Sequence, residues 1–316
     1  MRDFGKTGWR VNPIGLGCWQ FGGAITLDGL PDGWAGIRDE DSVAAIHRAL
    51  DLGVNFFDTA DMYGWGHSEE LIGRVLKERR AHVFVATKCG YWHDEAGRRI
   101  FNESRDYILR ACDASLRRLQ LDHIDLYQCH LSRTERWGEF LNAFEQLQQA
   151  GKIRYFGIST HEFSRVTGFN SRHNLAAVQT PYNLLSRQAE EEILPYCRQH
   201  NIAVIARGPL AMGKLSGKYS KVTRFDANEI RSKWLNDPAN REAFSRDIET
   251  VERLKPIAAQ AGCTLPQLAL RFVLAHPVVS IVIPGAKNAE QVEQNVAAGN
   301  PPLLTADELT AIDRAT

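Results

Sequence analysis

The stretch NFFDTADMYGWGH, residues 55–67, decides the fold. It begins as an apolar, strand-like run and then places Asp58 and Tyr63 at the end of that run and in the turn beyond it. Two later stretches have the same form, since VFVATKCG carries Lys88 near its end and IDLYQCH ends at His130. Each is a short β-branched and aromatic run followed by an ionisable side chain. This pattern predicts three strands with functional groups at their carboxyl ends.

Strands and helices alternate along the rest of the chain. Apolar runs predict strands at 14–19, 54–60, 83–89, 124–130, 153–160, 176–183, 203–210 and 279–286. Helical patterns lie at 39–52, 68–80, 104–119, 135–150, 163–169, 189–200, 248–261, 265–275, 289–298 and 306–315. Continuous apolar strands are typical of a parallel sheet that is buried on both faces.

Eight strand–helix alternations predict an α/β fold, a (β/α)8 TIM barrel that forms a single domain over residues 1–316. A small hairpin is expected at 2–12, with long loops at the C-terminal face of the barrel. The polar stretch 213–247 is a candidate lid over that face. A doubly wound sheet is the alternative, but no strand is followed at once by G-x-G-x-x-G.

Composition excludes several classes of function. Lys+Arg and Asp+Glu are 38 each, so no basic excess indicates nucleic-acid binding. No apolar run reaches the roughly 18 residues of a membrane span, and the N-terminus lacks the apolar segment of a signal peptide. The six Cys residues show no CxxC or Cys–His zinc spacing. We therefore expect a cytoplasmic protein with reduced cysteines, no metal, and no membrane or nucleic-acid partner.

The four ionisable side chains suit proton transfer at a carbonyl group. In a barrel the strand ends converge on one face, so three adjacent strands aim Asp58, Lys88 and His130 at one patch beside Tyr63. An unperturbed Tyr titrates near ~10 and needs a cationic neighbour to exchange protons near neutrality. Taken singly, each residue could be structural. A glycoside hydrolase would need a second carboxylate at a strand end, which this set does not supply.

The motifs DTADMYG, VATKCG, DLYQCH, KIRYFGIST, VQTPYN, ARGPLAMGKLSGKY and VIPGAKNAEQVEQN resemble the aldo-keto reductase superfamily. They follow one another in the same order over nearly the whole chain. The chain looks similar to the bacterial and potassium-channel-β-like branches. The resemblance implies a catalytic tetrad of Asp58, Tyr63, Lys88 and His130. Tyr63 would be the general acid, Lys88 would depress its pKa, and His130 would orient the carbonyl.

The resemblance also implies a nicotinamide dinucleotide across the barrel mouth, with NADP(H) preferred and NAD(H) possible. Ser159 and Gln179 would hold the carboxamide, and Arg207 stands where relatives carry an aromatic that stacks on the nicotinamide. Lys287 would meet the 2′-phosphate of NADP(H). The other positions implied for the cofactor are Trp19, Gly208, Pro209, Leu210, Gly213, Lys214, Lys218, Gly285, Gln291, Gln294 and Asn295.

Aromatic residues near the strand ends are the candidates for the substrate pocket: Trp19, Trp65, Tyr91, Trp92 and Trp234. The leading hypothesis is an NADP(H)-dependent reductase of aldehydes and ketones, reversible in principle. One alternative is an NAD-linked dehydrogenase of a sugar or alcohol. Another is an NADP-binding sensor module with little turnover. The sequence does not indicate the substrate, the favoured direction or the oligomeric state.

Overall fold

The computed structural model describes residues 1–131, 134–226, 230–300 and 302–316. Eight strands, all paired in parallel, form one sheet whose spatial order follows the chain. Parallel bridges join Ile14 to Val282 and Gly17 to Gly285, so the sheet closes on itself. The predicted (β/α)8 barrel is confirmed. Its strands, β1 to β8, are Leu16–Gly17, Phe56–Asp58, Phe84–Cys89, Ile124–Cys129, Ile153–Ser159, Ala177–Pro181, Ala203–Arg207 and Val279–Ile283.

Helices surround the barrel, and their apolar faces pack against the outer side of the strands. Within the described ranges the α-helices, α1 to α10, are Asp39–Asp51, His67–Arg79, Arg105–Leu119, Trp137–Gln149, Phe163–Phe169, Ile193–Gln199, Pro238–Gln260, Leu265–Ala275, Ala289–Ala297 and Ala306–Ala315. Short 3₁₀ helices are Gly5–Thr7, Trp19–Gly22, Gln188–Glu190, Ala211–Ser216 and Ile230–Leu235.

The N-terminal hairpin closes the bottom of the barrel, as expected. It pairs Arg2–Asp3 with Arg10–Val11. The ring of Trp9 stacks on Phe84 of β3 at 4.4 Å, and Phe4 lies 5.3 Å from Phe56 of β2. These buried rings fill the end of the barrel opposite the strand carboxyl ends.

Side-chain alternation decides which polar groups enter the barrel. Inward-facing Ala86 of β3 and Leu126 of β4 belong to the interior cluster, whereas Val85 and Tyr127 belong to the outer one. Because side chains along a strand alternate between faces, Lys88 and Gln128 also point inward. The same alternation places the side chain of Asp58 on the inward face of β2, two residues after Phe56. The barrel interior is thus apolar at its lower end and polar at the rim where the strands have their carboxyl ends.

Two hairpins that the sequence analysis left as loops lie above the barrel. One pairs Ala24–Leu27 with Leu30–Gly33, and the other pairs Tyr91–His93 with Arg99–Phe101. In the first, Asp28 and Gly29 both have positive φ, as a two-residue hairpin turn requires. The Asp-Gly dipeptide was therefore an available signal.

Helix α7 begins at Pro238 rather than near residue 248, so the irregular polar stretch predicted over 213–247 ends earlier than expected. The Asp237 side chain caps its first turn and accepts from Asn240 N, and Pro238 stands at the first helical position. Helix α6 is shorter than predicted, since a 3₁₀ turn precedes it. Part of the candidate lid, residues 227–229, lies outside the described residues.

No single helix in the described ranges is long and apolar enough to cross a membrane. Helices α7 and α8 pass the same test only as a pair, bent by 87°, on length and composition alone.

Candidate active site

A buried lysine links three of the predicted catalytic groups. Lys88 at the end of β3 is fully buried, and its Nζ donates to Asp58 Oδ1 at 2.6 Å and to the Thr59 carbonyl at 2.7 Å. The third donation goes to the Tyr63 hydroxyl at 3.2 Å. All three protons of the ammonium therefore have an acceptor, which offsets the cost of burying it.

Two amides complete the shell around Asp58. Gln128 Nε2 and Gln179 Nε2 donate to Oδ2 at 3.2 and 2.7 Å. Ser159 Oγ in turn lies 3.3 Å from Gln179 Oε1. The carboxylate is thus held by donors from β3, β4 and β6, and its orientation toward Lys88 is fixed. The sequence analysis missed Gln128, although it lies on the inward face of β4, two residues before His130.

Tyr63 is carried on a tight loop after β2. A Cβ at Gly22 would lie 2.5 Å from Gly64 N, and a Cβ at Gly64 would lie 2.2 Å from Gly22 O. Gly64 also has φ +61, which side chains rarely adopt. Two glycines therefore let the Tyr63 loop rest against the segment after β1. This contact sets Trp19 and Tyr63 side by side, with ring centroids 6.2 Å apart.

The electrostatic balance keeps Tyr63 protonated. Burial raises its pKa, and the opposing effect of Lys88 does not offset that rise, so the net pKa lies above 10.0. Burial alone would lower the pKa of Lys88, but Asp58 and Tyr63 outweigh it and the pKa is raised. Lys88 lowers the pKa of Tyr63, as expected, but by less than burial raises it.

His130 stands beside Tyr63 as a neutral imidazole. The two rings meet edge to face at 5.8 Å, and Tyr91 meets His130 at 5.2 Å. Burial is the main reason why the pKa of His130 lies well below its usual 6.5, and the positive charges of Lys88 and Arg207 lower it further. Its Nδ1 is buried without a partner in the described structure. A neutral ring with an unused nitrogen can bind a carbonyl oxygen or hydroxyl.

These groups open into a cleft of about 620 Å³ that crosses the C-terminal face. Asp58, Tyr63 and His130 line it, and Lys88 lies behind them. The lining also includes most of the positions predicted for the cofactor and the substrate pocket: Trp19, Tyr91, Ser159, Gln179, Arg207, Gly208, Pro209, Leu210, Gly213, Lys218, Gly285, Lys287, Gln291, Gln294 and Asn295.

Comparison with known proteins shows the family of this chain. The model of the aldo/keto reductase family matches residues 13–316. The chain belongs to the aldo/keto reductase family.

Among its relatives is aldo-keto reductase yakc [NADP(+)] of Schizosaccharomyces pombe, 34% identical over 91% of this chain and 84% of that protein. Another is the NADH-specific methylglyoxal reductase of Escherichia coli, 32% identical over 96% of this chain and 94% of that protein. The solved glycerol dehydrogenase AKR11B4 from Gluconobacter oxydans superposes with a TM-score of 0.85. It is 33% identical, over 100% of this chain and 94% of that one. The protein is thus an oxidoreductase of this family.

Besides Lys88 and Trp234, three predicted residues of this aldo/keto reductase lie outside the cleft lining. Lys214 pairs with Asp247, and its Nζ lies 4.6 Å from the ring centroid of Trp234. Trp65 and Trp92 meet each other at 5.9 Å to one side of the Tyr63 loop. All three help to position loops around the mouth in this structure.

The cleft has a cationic end that the sequence showed only in part. Lys287 follows β8, and its Nζ lies 5.5 Å from the ring centroid of Trp34. The guanidinium carbon of Arg231, Cζ, lies 5.1 Å from the centroid of the same ring. Both cations and Trp34 line the cleft. Trp34 and Arg231 were missed because one follows an unrecognised hairpin and the other lies in the polar stretch.

Backbone conformation is unusual just after β7, where the chain borders the cleft. Ala211, Met212 and Gly213 all have positive φ, at 48°, 53° and 95°. Successive left-handed residues are rare for side chains larger than glycine and are found chiefly at functional sites. The conformation bends the chain sharply just after Leu210, so that main-chain groups of this segment border the cleft.

The residues after β8 stabilise their own helix start. Asn288 caps α9 by accepting from Gln291 N, and the Gln291 side chain accepts from Lys287 N at 3.0 Å. Asn295 Nδ2 donates to Gly285 O at 3.2 Å. These contacts position the amino end of α9 at the cationic end of the cleft, where a helix dipole favours anions.

Proposed function

We propose that this chain is an NADP(H)-dependent reductase of small aldehydes and ketones that works reversibly. The observation that carries the proposal is the Lys88 ammonium, which binds Asp58 at 2.6 Å and reaches the Tyr63 hydroxyl at 3.2 Å. The arrangement places a protonated phenol beside a fixed cation at the mouth of a barrel. That is what proton donation to a carbonyl oxygen requires.

Each residue then has a distinct role. Tyr63 donates its proton to the carbonyl oxygen as general acid. The Lys88 ammonium stabilises the tyrosinate that forms, and Asp58 keeps Lys88 charged and in place. Neutral His130 binds the carbonyl oxygen and orients it toward Tyr63. In the oxidative direction Tyr63 takes the proton back.

The cleft fits an extended dinucleotide. At one end Ser159 and Gln179 offer amide and hydroxyl groups beside the Tyr63 site, and at the other end lie Lys287 and the start of α9. The left-handed segment 211–213 borders the middle. A bound reduced nicotinamide would supply the hydride, which no side chain can provide.

NADP(H) is preferred over NAD(H) because Lys287 and Arg231 converge on Trp34 at the cationic end. A phosphate monoester there would meet positive charge from two elements of the chain. The Schizosaccharomyces pombe relative carries NADP(+) in its name, which agrees with this preference. The NADH-specific relative supports the second candidate, an NAD-linked enzyme of a sugar or alcohol.

We further propose that residues 1–316 act as one domain, because the N-terminal hairpin and the last helices pack on the same barrel. The complete set of Asp58, Tyr63, Lys88 and His130 argues against a sensor module without turnover.

The proposal is tested by titrating the purified protein with NADPH and NADH, following Trp fluorescence, and then adding simple aldehydes, ketones and sugars. Tighter binding of NADPH with turnover of carbonyl compounds is the expected result. Tight binding without turnover of any carbonyl would favour the sensor module. Preference for NADH with alcohol oxidation would favour the second candidate.

A further inference from the structure

Arg207 carries a charge that the fold does not neutralise. It is the last residue of β7, is half-buried, and lines the cleft beside the Tyr63 site. Among the residues that the structure describes, its buried Nε has no hydrogen-bond partner. Within the described part of the chain, no carboxylate forms an ion pair with its guanidinium. A buried donor left without an acceptor is rare in proteins and costly.

The other cations near the site are compensated. Lys88 is paired with Asp58. Arg99, which also lines the cleft, has Nε 3.5 Å from Asp28 and Nη2 3.9 Å from Asp32. Those two carboxylates come from the first hairpin above the barrel. The unbalanced positive charge at the substrate end of the cleft therefore belongs to Arg207.

Arg207 acts on the reacting groups themselves. After burial and the charge of Lys88, its charge is the next factor that lowers the pKa of His130. It also counteracts, more weakly than Lys88, the burial that raises the pKa of Tyr63. Tyr91, which faces His130, is likewise among the groups that interact with its charge. Because Arg207, Tyr63 and His130 line the same cleft, a substrate bound between Tyr63 and His130 would share that cleft with the guanidinium.

The geometry of the free donor indicates the kind of ligand. The Nε–H bond lies in the guanidinium plane, so a ring stacked on the face of Arg207 would leave it unsatisfied. A carboxylate can accept from Nε and one Nη side by side, which is the bidentate arrangement that guanidinium groups favour.

We propose that the enzyme's substrates are carbonyl compounds that carry a carboxylate, and that Arg207 binds this carboxylate while Tyr63 and His130 hold the carbonyl. The inference rests on the proposed reductase function. A reduced nicotinamide held in the cleft would supply the hydride for the carbonyl carbon, and Tyr63 gives a proton to the oxygen as the C=O π bond breaks. The products are a hydroxy acid and the oxidised nicotinamide.

The test compares each acid with its neutral methyl ester. Suitable pairs are 4-oxobutanoate with methyl 4-oxobutanoate, and 4-carboxybenzaldehyde with methyl 4-formylbenzoate. We expect a higher kcat/KM for the acids in the wild type. Arg207→Gln should lower the acid-to-ester ratio of kcat/KM by about 10- to 100-fold, the effect of losing a charge-assisted hydrogen bond. Exposed Arg110 on α3 offers a matched control, Arg110→Gln, which should leave the ratio unchanged.

A second readout separates substrate binding from cofactor binding. Benzoate, which cannot be reduced, should compete with the neutral esters in the wild type and lose that inhibition in Arg207→Gln. Two results would overturn this inference alone. One is that the wild type turns over the esters as well as the acids, and the other is an equal loss of kcat/KM for acids and esters in the variant. A variant that mainly loses NADPH affinity would likewise overturn it and assign Arg207 to the nicotinamide. Absence of NADPH binding and of all turnover would instead overturn the proposed function.

Discussion

The buried pair of Lys88 and Asp58 should show a large energetic coupling. Replacing Lys88 by Met leaves the Asp58 carboxylate with only the two amide donors of Gln128 and Gln179. Removing one partner of a buried pair costs about 3–5 kcal/mol of the free energy of unfolding. Asp58→Asn should cost a similar amount, because the Lys88 ammonium then has only neutral acceptors and no counter-charge.

The double variant should cost much less than the two single changes together. Asp58→Asn with Lys88→Met buries no charge, and neutral replacement of a whole buried pair is often nearly neutral. Independent effects would sum to about 6–10 kcal/mol, which is comparable with the total stability of many proteins. We therefore expect a coupling energy of at least about 3 kcal/mol.

Guanidinium chloride unfolding, followed by both Trp fluorescence and circular dichroism, measures this cycle, and the two probes must give coincident curves. The exposed pair of Arg48 and Glu293, separated by 2.7 Å against 2.6 Å for Lys88 and Asp58, is the matched control. Its cycle should give less than about 1 kcal/mol. Additive losses at Lys88 and Asp58 would refute the view that each holds the other's charge in the barrel.

Two further predictions concern the cofactor and pH. Lys287→Met should raise the Kd of NADPH about 10-fold while that of NADH changes little. Fluorescence titration measures both Kd values, and exposed Lys77→Met is the control. Equal losses of affinity for NADPH and NADH would show that Lys287 does not recognise the phosphate. Reduction needs protonated Tyr63, whose pKa lies above 10.0, and neutral His130, whose pKa lies below 6.5. The pH profile of kcat/KM should therefore be flat between these values, and a titration midpoint between them would contradict the assignment.

The barrel could be predicted because its strands are short apolar runs with polar ends. The alternation along β3 and β4 also fixes which side chains face inward, and Gln128 could have been found from its spacing to His130. The hairpin at Asp28 was missed although its Asp-Gly turn was visible. Such a turn competes with many loop conformations when no alternating strands flank it.

Other features depend on contacts between distant segments. Arg231 and Trp34 meet only because the polar stretch and the first hairpin fold over the same end of the cleft. The net pKa of Tyr63 depends on how deeply the loop is buried, which no local pattern records. Phe244 and Ile248 of helix α7 pack against Tyr219 in a small separate cluster, which is another contact between distant segments.

The central claim is that Tyr63 is the proton donor, and Tyr63→Phe tests it most directly. The change removes one hydroxyl from a site where Lys88 keeps two other acceptors, so the fold and the cleft should persist. We predict NADPH binding like that of the wild type and a loss of kcat for aldehyde reduction of about 10²- to 10⁴-fold, the usual contribution of a general acid. Turnover at the wild-type rate with bound NADPH would contradict the account.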